Sequence, residues 1–286
     1  MAEDIHYTSG DGLQLFAKSY GPSDAPLSIL CMHGLTRNHK DFEPMIAGLG
    51  QQYRFIAVDV RGRGLSSYDP DPSHYAPPVY VQDMKTLLDT LGLEKVALIG
   101  TSMGGLMSML MMKTMPERVC GVVLNDIGPA VDKAGLNRIG SYVGKIEPLE
   151  NWAAAAKAVQ AVQGPLFPKF TDEDWMDFAR RTFRKLQDGR IILDYDPAIA
   201  TSLGKVKAGP LMRFFMWRLF TSMSAAPLLV VRGQISDILA NKTMNTMVHR
   251  HPDARSVTVP DVGHAPILNE PEALEAISMF LSQLTR

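Results

Sequence analysis

The sequence predicts an α/β fold: a mostly parallel sheet flanked by helices and interrupted by a long helical insertion. Three observations predict it. Short apolar runs alternate with longer stretches of helical spacing, the rhythm of parallel strands joined by crossover helices. The strand runs are continuously apolar, as strands covered on both faces must be. The alternation then fails between Gly128 and Ala226, where the chain reads as helical and amphipathic.

The elements follow in order. Asp11-Gly12 lies between Ile5-His6-Tyr7-Thr8 and Leu13-Gln14-Leu15-Phe16 and predicts a hairpin, hence antiparallel strands at one edge. Buried strands are expected at Leu27 to Met32, Phe55 to Val60, Val96 to Ile99, Val119 to Leu124 and Leu228 to Val231, with a sixth at Ser256 to Val259. Helices are expected from Val79 to Leu91, stopping at Gly92, from Gly105 to Met115, stopping before Pro116, and from Glu272 to Leu284. Within the insertion, Asn151 starts one helix. Thr171-Asp172-Glu173-Asp174 resembles a capping box for another that runs to Gln187, and Leu211 to Phe220 forms a basic and apolar stretch. The expected organisation is a core in two parts, 1–127 and 227–286, with the helical cap or lid 128–226 between them.

Composition narrows the function. The chain has 286 residues, 29 basic and 30 acidic, and a formal net charge of −1. No run of like charges offers a surface to nucleic acid. No apolar run reaches the ~18 residues of a membrane span, and the start Met1-Ala2-Glu3-Asp4-Ile5-His6 lacks the basic and apolar regions of a signal peptide. A cytoplasmic setting is expected. The two cysteines, Cys31 and Cys120, sit inside apolar runs and read as buried thiols. Neither a metal-ligand cluster nor a nucleotide loop is recognisable, so neither metal nor cofactor is expected. The partner expected is a small-molecule ester substrate; the oligomeric state is not readable.

The chemistry centres on Gly100-Thr101-Ser102-Met103-Gly104. A strand precedes this Gly-x-Ser-x-Gly and a helix follows it, the context of a nucleophile elbow. Ser102 is therefore the candidate nucleophile, placed at a helix N-terminus that favours developing negative charge. A serine needs a base, and of the seven histidines His264 is preferred, since it follows the last strand in Val262-Gly263-His264-Ala265. The base needs an acid to orient it. Asp237, after the strand Leu228 to Val231, gives the chain order Ser, Asp, His and is preferred. Asp126, just after the strand Val119 to Leu124, is the alternative acid. Backbone N–H groups of Met103 and Leu35 are the candidate oxyanion donors, Leu35 because Gly34 beside it allows a close approach.

With His33-Gly34, Asp59-Val60-Arg61-Gly62-Arg63-Gly64-Leu65-Ser66, the elbow, Asn125-Asp126-Ile127-Gly128-Pro129, Arg232-Gly233-Gln234-Ile235-Ser236-Asp237 and Gly263-His264, the chain resembles the α/β-hydrolase superfamily, in its serine-nucleophile branch with a helical cap. The resemblance implies a carboxylesterase-like enzyme working through an acyl-enzyme. Dehalogenases and epoxide hydrolases of the superfamily carry aspartate at the elbow, so Ser102 argues against both. It also implies that the Asp59 to Ser66 segment is chiefly a structural loop. Trp152, Phe167, Trp175, Phe214, Phe215 and Trp217 suggest a largely apolar pocket for small to medium substrates. Enol-lactone or carbon–carbon bond hydrolysis on the same triad stays open, as does a ligand-binding, receptor-like protein on the hydrolase fold.

Overall fold

The computed structural model describes residues 2–203 and 209–285; residues 204–208 of the insertion lie outside them. Eight strands form one sheet: β1 (Ala2–Thr8), β2 (Gln14–Tyr20), β3 (Ser28–Met32), β4 (Arg54–Asp59), β5 (Val96–Thr101), β6 (Val119–Asn125), β9 (Leu228–Gly233) and β10 (Ala254–Val259), in the order β1-β2-β4-β3-β5-β6-β9-β10. The hairpin β1–β2 pairs antiparallel, and β2 is antiparallel to β4. All pairs from β4 through β3, β5, β6 and β9 to β10 are parallel. Every residue of β3 and β9 is buried, so the continuous apolar runs do lie between helical layers. The sixth expected strand differs. Only Val259 of β10 is buried, because β10 is an edge strand with one paired neighbour.

The helices of the core are α1 (Glu43–Leu49), α2 (Pro77–Thr90), α3 (Met103–Thr114), α9 (Asn241–Arg250) and α10 (Pro271–Leu284). Prolines occupy the first two positions of α2, where the missing N–H costs nothing, and Gly92 at φ +63° ends it. Between β6 and β9 lie α4 (Lys133–Tyr142), α5 (Trp152–Gln163), α6 (Asp172–Thr182), α7 (Ala200–Leu203), α8 (Pro210–Thr221) and the two-stranded ribbon β7 (Phe183–Lys185) with β8 (Ile191–Leu193). Asn151 caps α5 through Ala154 N, and Thr171 with Asp174 makes the expected capping box. That helix stops at Thr182 rather than Gln187, because Phe183 pairs with Leu193 and the chain turns into the ribbon. Among the described residues no helix is long and apolar enough to cross a membrane.

Candidate active site

The elbow is built from glycines that leave no room for a side chain. A Cβ on Gly104 would lie 1.9 Å from the Met32 carbonyl oxygen, and one on Gly100 2.4 Å from that of Gly104. The chain can therefore turn tightly from β5 into α3. The turn places Ser102 at φ +52°, a region an L side chain seldom occupies. Ser102 holds the N-cap position of α3, yet its hydroxyl caps nothing. It meets His264 Nε2 at 2.9 Å instead.

His264 stands on the loop between β10 and α10, and its Nδ1 is 2.8 Å from Asp126 Oδ2. A carboxylate only accepts, so Nδ1 carries the proton and Nε2 is free to accept from the serine. Asp126 is completely buried and also strained, at φ +54°. It accepts from Gly233 N at 3.0 Å and from Ser236 Oγ at 2.5 Å. Its own N–H donates to Val231 O at 2.8 Å, which fixes the end of β6 to β9.

The preferred acid of the sequence reading is thereby corrected. The structure brings Asp126, not Asp237, to His264. β6 adjoins β5 in the sheet, so a residue just past its end stands beside the elbow. Asp237 lies four residues beyond β9 and is drawn to α4, where Arg138 Nε and Nη2 donate to it at 2.6 and 2.9 Å. Burial raises the Asp237 carboxyl, but Arg138, helped less strongly by the charge of His264, holds the group below its ordinary value. Ser236, one residue earlier, was not singled out by sequence; it clamps Asp126 and also accepts from Ile238 N and Leu239 N.

The loop after β3 carries His33-Gly34-Leu35. A Cβ on Gly34 would sit 3.8 Å from that of Ser102, so this loop runs alongside the elbow. His33 is fully buried and locks it. Val60 N donates to Nε2 at 3.1 Å, which leaves the proton on Nδ1 to bond Gly34 O at 2.7 Å. Burial pushes His33 down to about 4. Its own carbonyl accepts from Gly104 N at 3.1 Å, tying loop to elbow. Leu35 lines the pocket in front of Ser102, and Met103 opens α3.

Arg63, from the segment read as a structural loop, lies behind both. Fully buried, it donates Nε to Leu35 O at 3.0 Å, and its Nη2 approaches Met103 Sδ at 3.6 Å. No signal in the sequence separates it from Arg61, which instead gathers three aspartates: Asp11, Asp69 and Asp83. Asp11, Asp69 and His74 bring metal-ligand atoms within 4.8 Å of one another, but Arg61 already donates to both aspartates, and a cation there would meet a resident positive charge.

The pocket over Ser102 and His264 is walled by both the core and the segment between β6 and β9. Of the six aromatic residues suggested for its lining, Phe167 is there. Trp175 is buried in an aromatic cluster with Phe170 and Phe178, Trp217 lies under Arg250, and Phe214 and Phe215 point outward. Ile139, Tyr142, Val159, Phe178 and Tyr195 are among the other residues of the pocket's largely apolar wall. Arg37, Asp41 and Arg181 make one corner of it charged.

Known proteins resemble this chain throughout. Residues 28–271 match the model of a family described as alpha/beta hydrolase fold. A 3-hydroxybutyrate-oligomer hydrolase of Cupriavidus necator is 35% identical over 271 residues, which cover 92% of this chain and 91% of that one. A 2-(acetamidomethylene)succinate hydrolase of Mesorhizobium japonicum is 27% identical over 88% of this chain and 87% of its own length. The crystal structure of a hydrolase from Novosphingobium aromaticivorans superposes with a TM-score of 0.91 at 42% identity, covering 99% of this chain and 98% of that one.

Proposed function

The chain belongs to the alpha/beta hydrolase fold family, and from that premise we propose that it is a serine hydrolase of carboxylic esters. Ser102 is the nucleophile, His264 the base and Asp126 the acid. One observation carries this reading: His264 is hydrogen-bonded at once to Ser102 Oγ and to a buried Asp126.

In the proposed reaction the substrate carbonyl lies over Ser102. Oγ attacks the carbonyl carbon as its proton passes to His264 Nε2. Asp126, held by Gly233 and Ser236, keeps the imidazole ring oriented and balances the charge it gains. The N–H groups of Leu35 and Met103 receive the oxyanion, each worth about 10²–10³ in rate. The protonated His264 then gives its proton to the departing alcohol, leaving the acyl group on Ser102. Water, deprotonated by His264, releases the acid and restores the serine.

The segment 128–226 acts as the cap that shapes this pocket, for it supplies Ile139, Tyr142, Val159, Phe167 and Phe178 to the wall. A relative named for 3-hydroxybutyrate oligomers, similar over nine-tenths of both chains, supports esters of small hydroxy acids as the substrate class. Turnover of short p-nitrophenyl esters tests the reading. Ser102→Ala is expected to lower kcat at least about a thousandfold and to abolish labelling by a fluorophosphonate; undiminished turnover would overturn the assignment.

A further inference from the structure

We propose that the pocket takes esters whose far end bears a carboxylate, and that the guanidinium of Arg181 is the group that receives it. This rests on the serine-hydrolase reading above and adds its substrate class.

Two guanidiniums and one carboxylate face the pocket: Arg37, Arg181 and Asp41. Asp41 is already engaged. It accepts from Arg37 Nε at 2.7 Å and from Arg37 Nη2 at 2.5 Å. Arg37 also donates to Thr182 Oγ1 and packs on the Phe178 ring at 4.2 Å, so its position is set on every side. Arg181 is not so provided for. Its Nε comes no nearer than 4.0 Å to Asp41 Oδ1, and among the described residues this buried nitrogen has no hydrogen-bond partner. Burial draws the Arg181 guanidinium below its ordinary range; Asp41 opposes that and the like charge of Arg37 adds to it.

Among the groups that line the pocket, this corner sets two cations against one anion, while Asp177 and Glu43 outside the lining favour the Arg181 charge more weakly. A buried donor without an acceptor is costly, and a buried charge without full compensation is costlier. An incoming carboxylate meets both deficits, since a guanidinium binds it through parallel N–H···O bonds. The surplus of positive charge among the lining groups suits a carboxylate. Placement also fits. Phe178, Arg181 and Thr182 are spaced by three and four along α6, so they share the helix face that lines the pocket. Ser102 and His264 line it from the sheet. Apolar side chains such as Val159 and Phe167 suit the stretch of substrate between ester and carboxylate.

The test uses matched pairs of esters: mono-4-nitrophenyl succinate, glutarate and adipate against 4-nitrophenyl butyrate, valerate and hexanoate. The readout is the ratio of kcat/KM, charged over neutral, which is independent of how much of a variant is folded. The wild-type ratio is expected to reach tenfold or more for at least one chain length. Arg181→Gln should lower that ratio at least tenfold, and Arg181→Lys should recover part of it. A wild-type ratio of one or less at every length, or an unchanged ratio in Arg181→Gln, overturns the proposal. Turnover of neither ester would defeat the hydrolase reading instead. Calorimetric titration with glutarate then decides the anion site alone: binding at least tenfold weaker to Arg181→Gln supports it, and equal binding overturns it.

Discussion

Asp126 combines strain, complete burial and three hydrogen bonds to its carboxylate, and each feature has a measurable result. Asp126→Asn keeps the shape but removes the charge that balances His264, so kcat should fall about 10³–10⁴-fold. Asp237→Asn should change kcat less than about threefold, since Asp237 serves Arg138. Steady-state kinetics on one p-nitrophenyl ester separates the two, and the opposite ranking would return the acid to Asp237. His33 yields a prediction in pH. Its folded value, about 4, lies below the ordinary ~6.5 of histidine. Between those limits the unfolded chain holds a proton that the folded chain does not, so stability drops as pH falls from about 6.5 to about 4. The whole window is worth about 3 kcal/mol. Urea unfolding at pH 7 and pH 5 should show a shallower loss in His33→Asn than in wild type; equal losses would refute it. At this scale the sequence offered Ser102 and His264 as candidates, because their neighbours in the chain define them, and the structure brings the two side chains together. The choice of acid was not legible. It depends on which strand end adjoins β5, and both aspartates follow a buried strand.

The elbow and α6 show what an element adds. Gly104→Ala drives a methyl into the Met32 carbonyl, which is backbone and cannot step aside. The expected cost is about 3 kcal/mol by chemical denaturation, and a loss below about 1 kcal/mol would mean that the turn relaxes more freely than its packing implies. In the segment between β6 and β9 the aromatic residues divide sharply. Phe178→Ala removes a buried ring that stacks under Arg37 and should cost about 3–5 kcal/mol. Phe214→Ser and Phe215→Ser, on rings more than half exposed, should each stay within about 0.5 kcal/mol. Equal costs would count against this division. The core strands were legible because apolar continuity reports burial on both faces. The aromatic lining was not, since composition names ring residues without saying which way a helix turns them. The end of α6 was misread for a related reason: Phe183 leaves the helix to pair with Leu193, ten residues on.

At the scale of the molecule, among the described residues, Arg61 ties three separate parts of the chain together. It joins the hairpin turn at Asp11, the loop at Asp69 and α2 at Asp83, with bonds of 2.6–2.8 Å to the nearest oxygens. Arg61→Met would leave three carboxylates without their cation, at an expected cost of about 3–5 kcal/mol in urea unfolding; a cost under about 1 kcal/mol would refute this role. The general architecture was visible in the alternation of runs, whereas this network was not, since its partners are 50, 8 and 22 positions distant along the chain. The position of Asp126 has a further consequence. The proposed nucleophile, acid and oxyanion donors all precede residue 128, and the segment that follows leaves β6 and re-enters on its neighbour β9. Under the proposed division that segment would be an exchangeable cassette, since the strands that flank it lie side by side. Swapping it for the corresponding stretch of another family member would graft a new selectivity onto an unaltered reaction centre.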